Sequence, residues 1–246
     1  MTLAAAQTRP KRRDIKWNLQ DHCNWIKKAA DKGAGFIVFP ELSISGYERE
    51  NLDSLIFEVD DPKLDPLRQL SVDRKIIVVA GAPIKIGTKL MIGEFIIHPH
   101  HPEQIYTKQY LHPGEEVSYC ASFDYNPIIQ LGSEIISLAI CADIDHPEHP
   151  EMAGRANTTI YVPSIFFSPK GIPSAHKNLS GYAKKHSMSV LMANFTGESG
   201  GMPAAGKSAF WNNDGKLVKE MGIQDAGLLL VEKNGDDWGS QIYTDQ

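Results

Sequence analysis

The chain has 246 residues, 42% of them apolar and 22% charged, with a formal net charge of −5. That length can bury a substantial core and fits one large domain or two small ones. The acidic balance excludes a general attraction to nucleic acid or anionic membrane, and the single basic cluster, Lys11-Arg12-Arg13, is too short to change this.

Leu3–Ala6 is expected to form a first short strand. Asp14 then offers an N-cap, and Ile15, Leu19, Cys23, Ile26 and Ala30 recur at helical spacing until Gly33. Cys23 is therefore expected in the core. Phe36-Ile37-Val38-Phe39 is a continuous apolar run, typical of a strand covered on both faces, and it ends at Pro40-Glu41. A helix over Pro66–Arg74 leads into a buried strand, Ile76–Ala80. Met91–Ile97 and Gln104–Lys108 bracket His98-Pro99-His100-His101-Pro102 and read as a hairpin that delivers Lys108 to its end.

Ile128–Leu131 and Glu134–Cys141 flank a Gly132-Ser133 turn, and the second of these runs stops abruptly at Cys141-Ala142-Asp143. A helix is expected over Pro147–Arg155, a strand over Thr159–Val162, a helix over Pro173–Ser187 and a strand over Val190–Asn194. Lys207–Trp211, Lys216–Glu220 and Leu228–Glu232 read as strands joined by turns such as Asn213-Asp214-Gly215. No repeat, low-complexity tract or linker interrupts the chain, so residues 1–246 are expected to form one domain.

Three cysteines, Cys23, Cys120 and Cys141, show no C-x-x-C spacing, which argues against a disulfide framework and a cysteine zinc site. The N-terminus lacks a basic segment and no run approaches a membrane span, so a reducing, cytoplasmic setting is expected.

Glu41, Lys108 and Cys141 thus stand at three separate strand exits, where side chains are held firmly yet remain reachable. The set suits acyl transfer: a thiol nucleophile, a carboxylate to take its proton, and an ammonium to favour thiolate and offset charge on a substrate oxygen. Two other arrangements fit less well. Gly197-Glu198-Ser199-Gly200-Gly201 satisfies G-x-S-x-G, but Met202-Pro203 follows where a helix is needed, and no histidine lies beyond His186. Asp143, Asp145, His146 and His149, or His98, His100 and His101, have no recognised metal-ligand spacing, and the histidines read as exposed loop residues. No metal or other cofactor is expected.

The segments Phe36–Leu42 with Gly46-Tyr47, Tyr106-Thr107-Lys108 with Leu111 and Glu116, and Ile140–Asp143 with Pro147-Glu148 resemble the nitrilase superfamily of carbon-nitrogen hydrolases. Ala5-Ala6-Gln7, Asn18, Val162-Pro163-Ser164, Ala193-Asn194 and Gly206-Lys207-Ser208 extend the resemblance over nearly the whole chain. The resemblance implies an α/β fold, a four-layer α-β-β-α sandwich, and a homodimer formed across helices near the active-site edge. It also implies that Cys141 attacks an amide carbonyl to form a thioester, with Glu41 as general base and Lys108 and the Ala142 backbone N–H holding the oxyanion. Glu116, eight positions after Lys108, matches the second glutamate that orients the site, with Glu115 as its neighbour.

Departures from the pattern bear on substrate. Ala142 replaces the aromatic residue common after the nucleophile, which favours amides over nitriles. Asp145 stands where many members carry arginine; if it faces the pocket, acidic substrates are disfavoured. Otherwise it caps the following helix. Tyr47 and Phe166 are further pocket candidates. The expected substrate is a small-molecule amide, ω-amide or N-carbamoyl compound. The alternative is an acyl-transferring or catalytically silent member acting as a binding module.

Overall fold

The computed structural model describes residues 1–244. Its first half runs β1 (Thr2–Gln7), α1 (Ile15–Asp31), β2 (Ala34–Val38), α2 (Asp65–Arg74), β3 (Ile77–Ile86), β4 (Lys89–Ile97) and β5 (Gln104–Thr107). The middle runs β6 (Ile129–Leu131), β7 (Glu134–Ile140), α3 (Glu148–Arg155), β8 (Ile160–Ile165), α4 (Ile172–His186) and β9 (Ser189–Asn194). The remainder is β10 (Thr196–Ser199), β11 (Met202–Ala205), β12 (Ala209–Trp211), β13 (Leu217–Glu220), β14 (Gly227–Asn234) and β15 (Asp237–Thr244).

Two sheets result. One has the order β15-β14-β1-β2-β3-β4-β5 and the other β13-β12-β9-β8-β7-β6. In each, helices connect the central parallel strands, β1-β2-β3 and β7-β8-β9, as a crossover requires. Leu3, Phe36, Val38, Ile92, Ile96, Leu138, Ile140, Val162 and Leu191 fill the space between the sheets. On the outer face of the first sheet, Leu19, Cys23 and Ile26 of α1 and Leu67 of α2 pack on Ile37, Val78 and Leu228. On the outer face of the second, Ala153 of α3 and Leu179 and Ala183 of α4 pack on Tyr161, Val190 and Met192. These are the four α-β-β-α layers expected, because each strand in the middle must bury both faces.

Asp14 caps α1 by accepting a hydrogen bond from the Trp17 N–H at 3.0 Å, and Cys23 is in the core. β3 runs past the expected end at Ala80 to Ile86, because β4 pairs with it antiparallel along its whole length. β15 was not expected from its mixed sequence; its register with β14, from Gly227↔Thr244 to Asn234↔Asp237, supplies the order. Thr196–Ser199 and Met202–Ala205 form a two-stranded hairpin, so Ser199 leads into a turn and a strand, as the failure of the G-x-S-x-G context implied.

Candidate active site

Glu41 follows the last residues of β2. The Phe39 N–H still bonds Val79 of β3 at 2.9 Å, after which the chain turns sharply, with Leu42 at φ 52°. The turn presses against β3 at Gly81, where a Cβ would stand 2.5 Å from the Leu42 nitrogen. From the other side, His22 of α1 stacks on Phe39 at 4.0 Å between ring centroids and accepts the Ser43 hydroxyl at Nε2, at 2.9 Å. The other ring nitrogen, Nδ1, lies 2.6 Å from the Asn18 carbonyl, which makes it the protonated one. The glutamate is thus fixed by β3 behind it and α1 beside it.

Lys108 follows β5, its backbone N–H bonded to Ile92 of β4 at 2.9 Å. Its side chain is fully buried. Nζ donates to Glu41 Oε1 at 2.6 Å and to Glu115 Oε1 at 2.9 Å. Glu115 also accepts the Tyr47 hydroxyl at 2.7 Å and the His112 N–H at 2.9 Å. One cation is therefore shared by two buried carboxylates.

Cys141 begins a single tight turn, Cys141–Asp145, after β7. Its φ of 42° lies in the left-handed region, a strain of about 1–3 kcal/mol that the surroundings must hold in place. Asp143 does much of that holding. Its Oδ2 accepts the Ile140 N–H at 2.8 Å and the Tyr106 hydroxyl at 2.6 Å, while Oδ1 accepts the N–H groups of Gln109 and Tyr110 at 3.0 and 2.8 Å. One carboxylate thereby ties the cysteine turn to the segment carrying Lys108. Behind it, His149 Nε2 donates to the Tyr106 oxygen and Nδ1 accepts the Tyr161 hydroxyl, both at 2.8 Å, so every member of the buried chain is satisfied. His149 is accordingly a buried network residue, where an exposed loop histidine was expected.

Burial raises the Glu41 carboxyl to about 7, with Lys108 opposing and Glu115 adding to the shift. Burial, reinforced by Glu41, pushes the Cys141 thiol well up while Lys108 opposes, the direction that calls for a carboxylate to take its proton. Burial alone would lower Lys108, but Glu41, Cys141 and Glu115 outweigh it and keep the ammonium charged. Among the described residues Glu41 Oε2 has no hydrogen-bond partner, and the Cys141 thiol is among the groups acting on this carboxyl. The arrangement can therefore move a proton from sulfur to a carboxylate whose affinity for it is matched to neutral pH.

The carbon-nitrogen hydrolase family profile matches residues 2–243. This chain belongs to that family. Family members act on carbon-nitrogen bonds other than peptide bonds, and the chain is such a hydrolase, of the nitrilase superfamily. Among curated relatives, a probable nitrilase of Schizosaccharomyces pombe is 22% identical over 96% of this chain and 89% of its own length. A glutamine-dependent NAD(+) synthetase of Thermotoga maritima is 23% identical over 96% of this chain but only 42% of its own. Among solved structures, an amidase from Nesterenkonia sp. AN1 superposes with a TM-score of 0.84 at 22% identity, over 96% of this chain and 94% of that one. That structure carries acrylamide added to its active-site cysteine.

In this carbon-nitrogen hydrolase the second glutamate beside the lysine is Glu115, not Glu116. Glu116 is exposed and turns back to accept the Gly114 N–H at 2.6 Å. The two glutamates occupy one short turn, Glu115–Val117, entered through Gly114 at φ 93°, and adjacent residues of such a turn point in different directions. Tyr47 and Phe166 do reach the site: their rings meet at 5.0 Å, and the Phe166 carbonyl faces Cys141 Sγ at 3.6 Å. Ala142 is buried at the start of the cysteine turn, where backbone N–H groups lack partners within the turn.

Asp145 ends that turn and is exposed. It does not cap α3, whose N-terminus at Pro147 has no side-chain cap. Partial burial raises its carboxyl while His146, His112 and Lys108 oppose, so it lies within the electrostatic reach of the site. Ser199 Oγ accepts the Tyr47 N–H at 2.9 Å, a supporting contact behind the site. Among the described residues, no group of three or more His, Cys, Asp or Glu side chains is placed to hold a metal. Asp143 and Glu115 were missed as site residues; an acid two positions after a strand-end cysteine was the available signal for the first.

Proposed function

We propose that the chain hydrolyses a small primary amide, ω-amide or N-carbamoyl compound through a thioester on Cys141. The convergence of Glu41, Lys108 and Cys141 at three strand exits carries this reading. Glu41 takes the thiol proton as sulfur attacks the carbonyl carbon, and the resulting oxyanion is met by Lys108 Nζ and the Ala142 N–H. Protonated Glu41 then gives its proton to the leaving nitrogen, which departs as ammonia or amine and leaves the thioester. With Glu41 ionised again, it draws a proton from water; hydroxide adds to the thioester, the carboxylic acid leaves, and the thiol is restored. Glu115 keeps Lys108 oriented throughout.

The Nesterenkonia amidase, with a mutant bound to butyramide, supports an amide in place of a nitrile. The acidic Asp145 near Lys108 favours neutral or cationic substrates over acidic ones. Ammonia release from a panel of primary amides, ω-amides, N-carbamoyl amino acids and nitriles tests the reading. Turnover of a member of the first three groups is expected, and turnover of nitriles alone would overturn it. Asp145→Asn is expected to raise relative rates on acidic amides; unchanged ratios would remove Asp145 from the pocket. Formation of hydroxamate at the expense of acid, when hydroxylamine is added, would measure how readily an acceptor other than water enters.

A further inference from the structure

The space between the two sheets is apolar except near the site, and one acid there has no part in the steps above. Glu94 lies on β4 between Ile92 and Ile96, both of which face the opposing sheet. Its neighbours in register are Gly81 of β3, against which the Glu41 turn presses, and Tyr106 of β5, two residues before Lys108. Across the gap stands Ser164 of β8, paired with Ile140, the residue before Cys141. Both side chains are fully buried, and the Ser164 hydroxyl lies near enough to act on the Glu94 carboxyl. Among the described residues, neither Glu94 oxygen nor Ser164 Oγ has a hydrogen-bond partner.

An ionised carboxylate in that position has no cation and no backbone donor to stabilise it, and Asp143 and Glu41 are the charged groups that face it. A further negative charge facing Asp143 and Glu41 would be repelled. The neutral acid meets neither obstacle: its O–H can donate to Ser164, and the Ser164 hydroxyl can donate back to the carbonyl oxygen. Burial pushes this carboxyl well up, the direction that keeps its proton on.

We propose that Glu94, as an uncharged acid paired with Ser164, is a positioning residue that joins the sheet carrying Glu41 and Lys108 to the sheet carrying Cys141. The pair sets how closely the base approaches the thiol. This rests on the reading of Glu41 and Cys141 as a working pair.

The test uses Glu94→Gln, Glu94→Leu and Ser164→Ala, each assayed for amide turnover and for the rate at which iodoacetamide alkylates Cys141 as a function of pH. Glu94→Gln keeps a neutral group able to donate and accept, and is expected to stay within about threefold of the parent in both rates, with the pH midpoint of alkylation unmoved. Glu94→Leu and Ser164→Ala are expected to lose about tenfold or more in kcat and in alkylation rate, with KM little changed. A downward shift of the alkylation midpoint in Glu94→Gln would mean that a charge had been removed and would overturn the proposal. So would parent-like alkylation in Ser164→Ala, or a Glu94→Gln loss as large as that of Glu94→Leu. Should Glu94→Leu fail to fold, the other two variants decide. Alkylation needs no substrate, so a chain that hydrolyses none of the panel yet shows this pattern would refute the hydrolytic reading and leave the positioning role intact.

Discussion

The Tyr106 hydroxyl donates to Asp143 Oδ2 at 2.6 Å, joining the strand that delivers Lys108 to the turn that begins with Cys141. Asp143 meets only donors: this hydroxyl and three backbone N–H groups. Asp143→Asn must therefore turn an amide NH2 toward N–H groups in one orientation or the other. We expect a loss of about 1–3 kcal/mol in stability and a fall in kcat, whereas Tyr106→Phe, which leaves all three backbone donors satisfied on Asp143, should cost less. Urea unfolding beside steady-state kinetics checks the order, and an Asp143→Asn variant with parent-like values would contradict it.

Glu115 and Glu116 give a direct comparison, since they are adjacent and chemically identical. Glu115→Gln should reduce kcat/KM by about 10²-fold or more, on the scale of losing one preorganised electrostatic contact, while Glu116→Gln should change it little. The surviving activity of Glu115→Gln should also reach its acid midpoint at lower pH, because the Glu115 charge raises Glu41. Equal effects of the two substitutions would return the role to Glu116.

The acid limb of kcat/KM follows from Glu41. The base must be ionised to accept the thiol proton, and burial holds its pKa at about 7. Activity should therefore rise with pH and level off near neutrality, well above the usual carboxylate range. A limb centred near 4.5 would show that the group limiting catalysis is a solvated acid.

His22 makes a separate prediction about stability. Burial lowers its pKa to about 4, so the unfolded chain binds a proton there more readily than the folded one. The stability contributed by neutral His22 is complete above about pH 6.5 and is lost as pH falls toward 4, by about 3 kcal/mol in all. Urea midpoints measured from pH 4 to 7 should fall less steeply in His22→Gln than in the parent, and parallel curves would contradict the assignment.

The positions of Glu41 and Cys141 at strand exits were legible because each closes an apolar run, and a strand buried on both faces leaves its exit as the first position where a polar side chain is tolerated; Lys108 was placed by the hairpin whose second strand it ends. The helices were legible from spacing, as α1 is from Asp14 to Asp31. Glu115 was not, because facing within one tight turn depends on the φ of Gly114 and on Lys108 and Tyr47, which come from other segments. His149 and Asp143 were obscured for the same reason: their partners lie on β5 and β8, far along the chain. β15 carries mixed polar and apolar residues whose order is imposed by β14.

The most direct test of a thiol acyl-transfer centre is ammonia release by the parent and by Cys141→Ala, side by side on the best amide of the panel. The account predicts turnover by the parent that falls to background in Cys141→Ala and persists in Ser199→Ala. Turnover that survives in Cys141→Ala would contradict it.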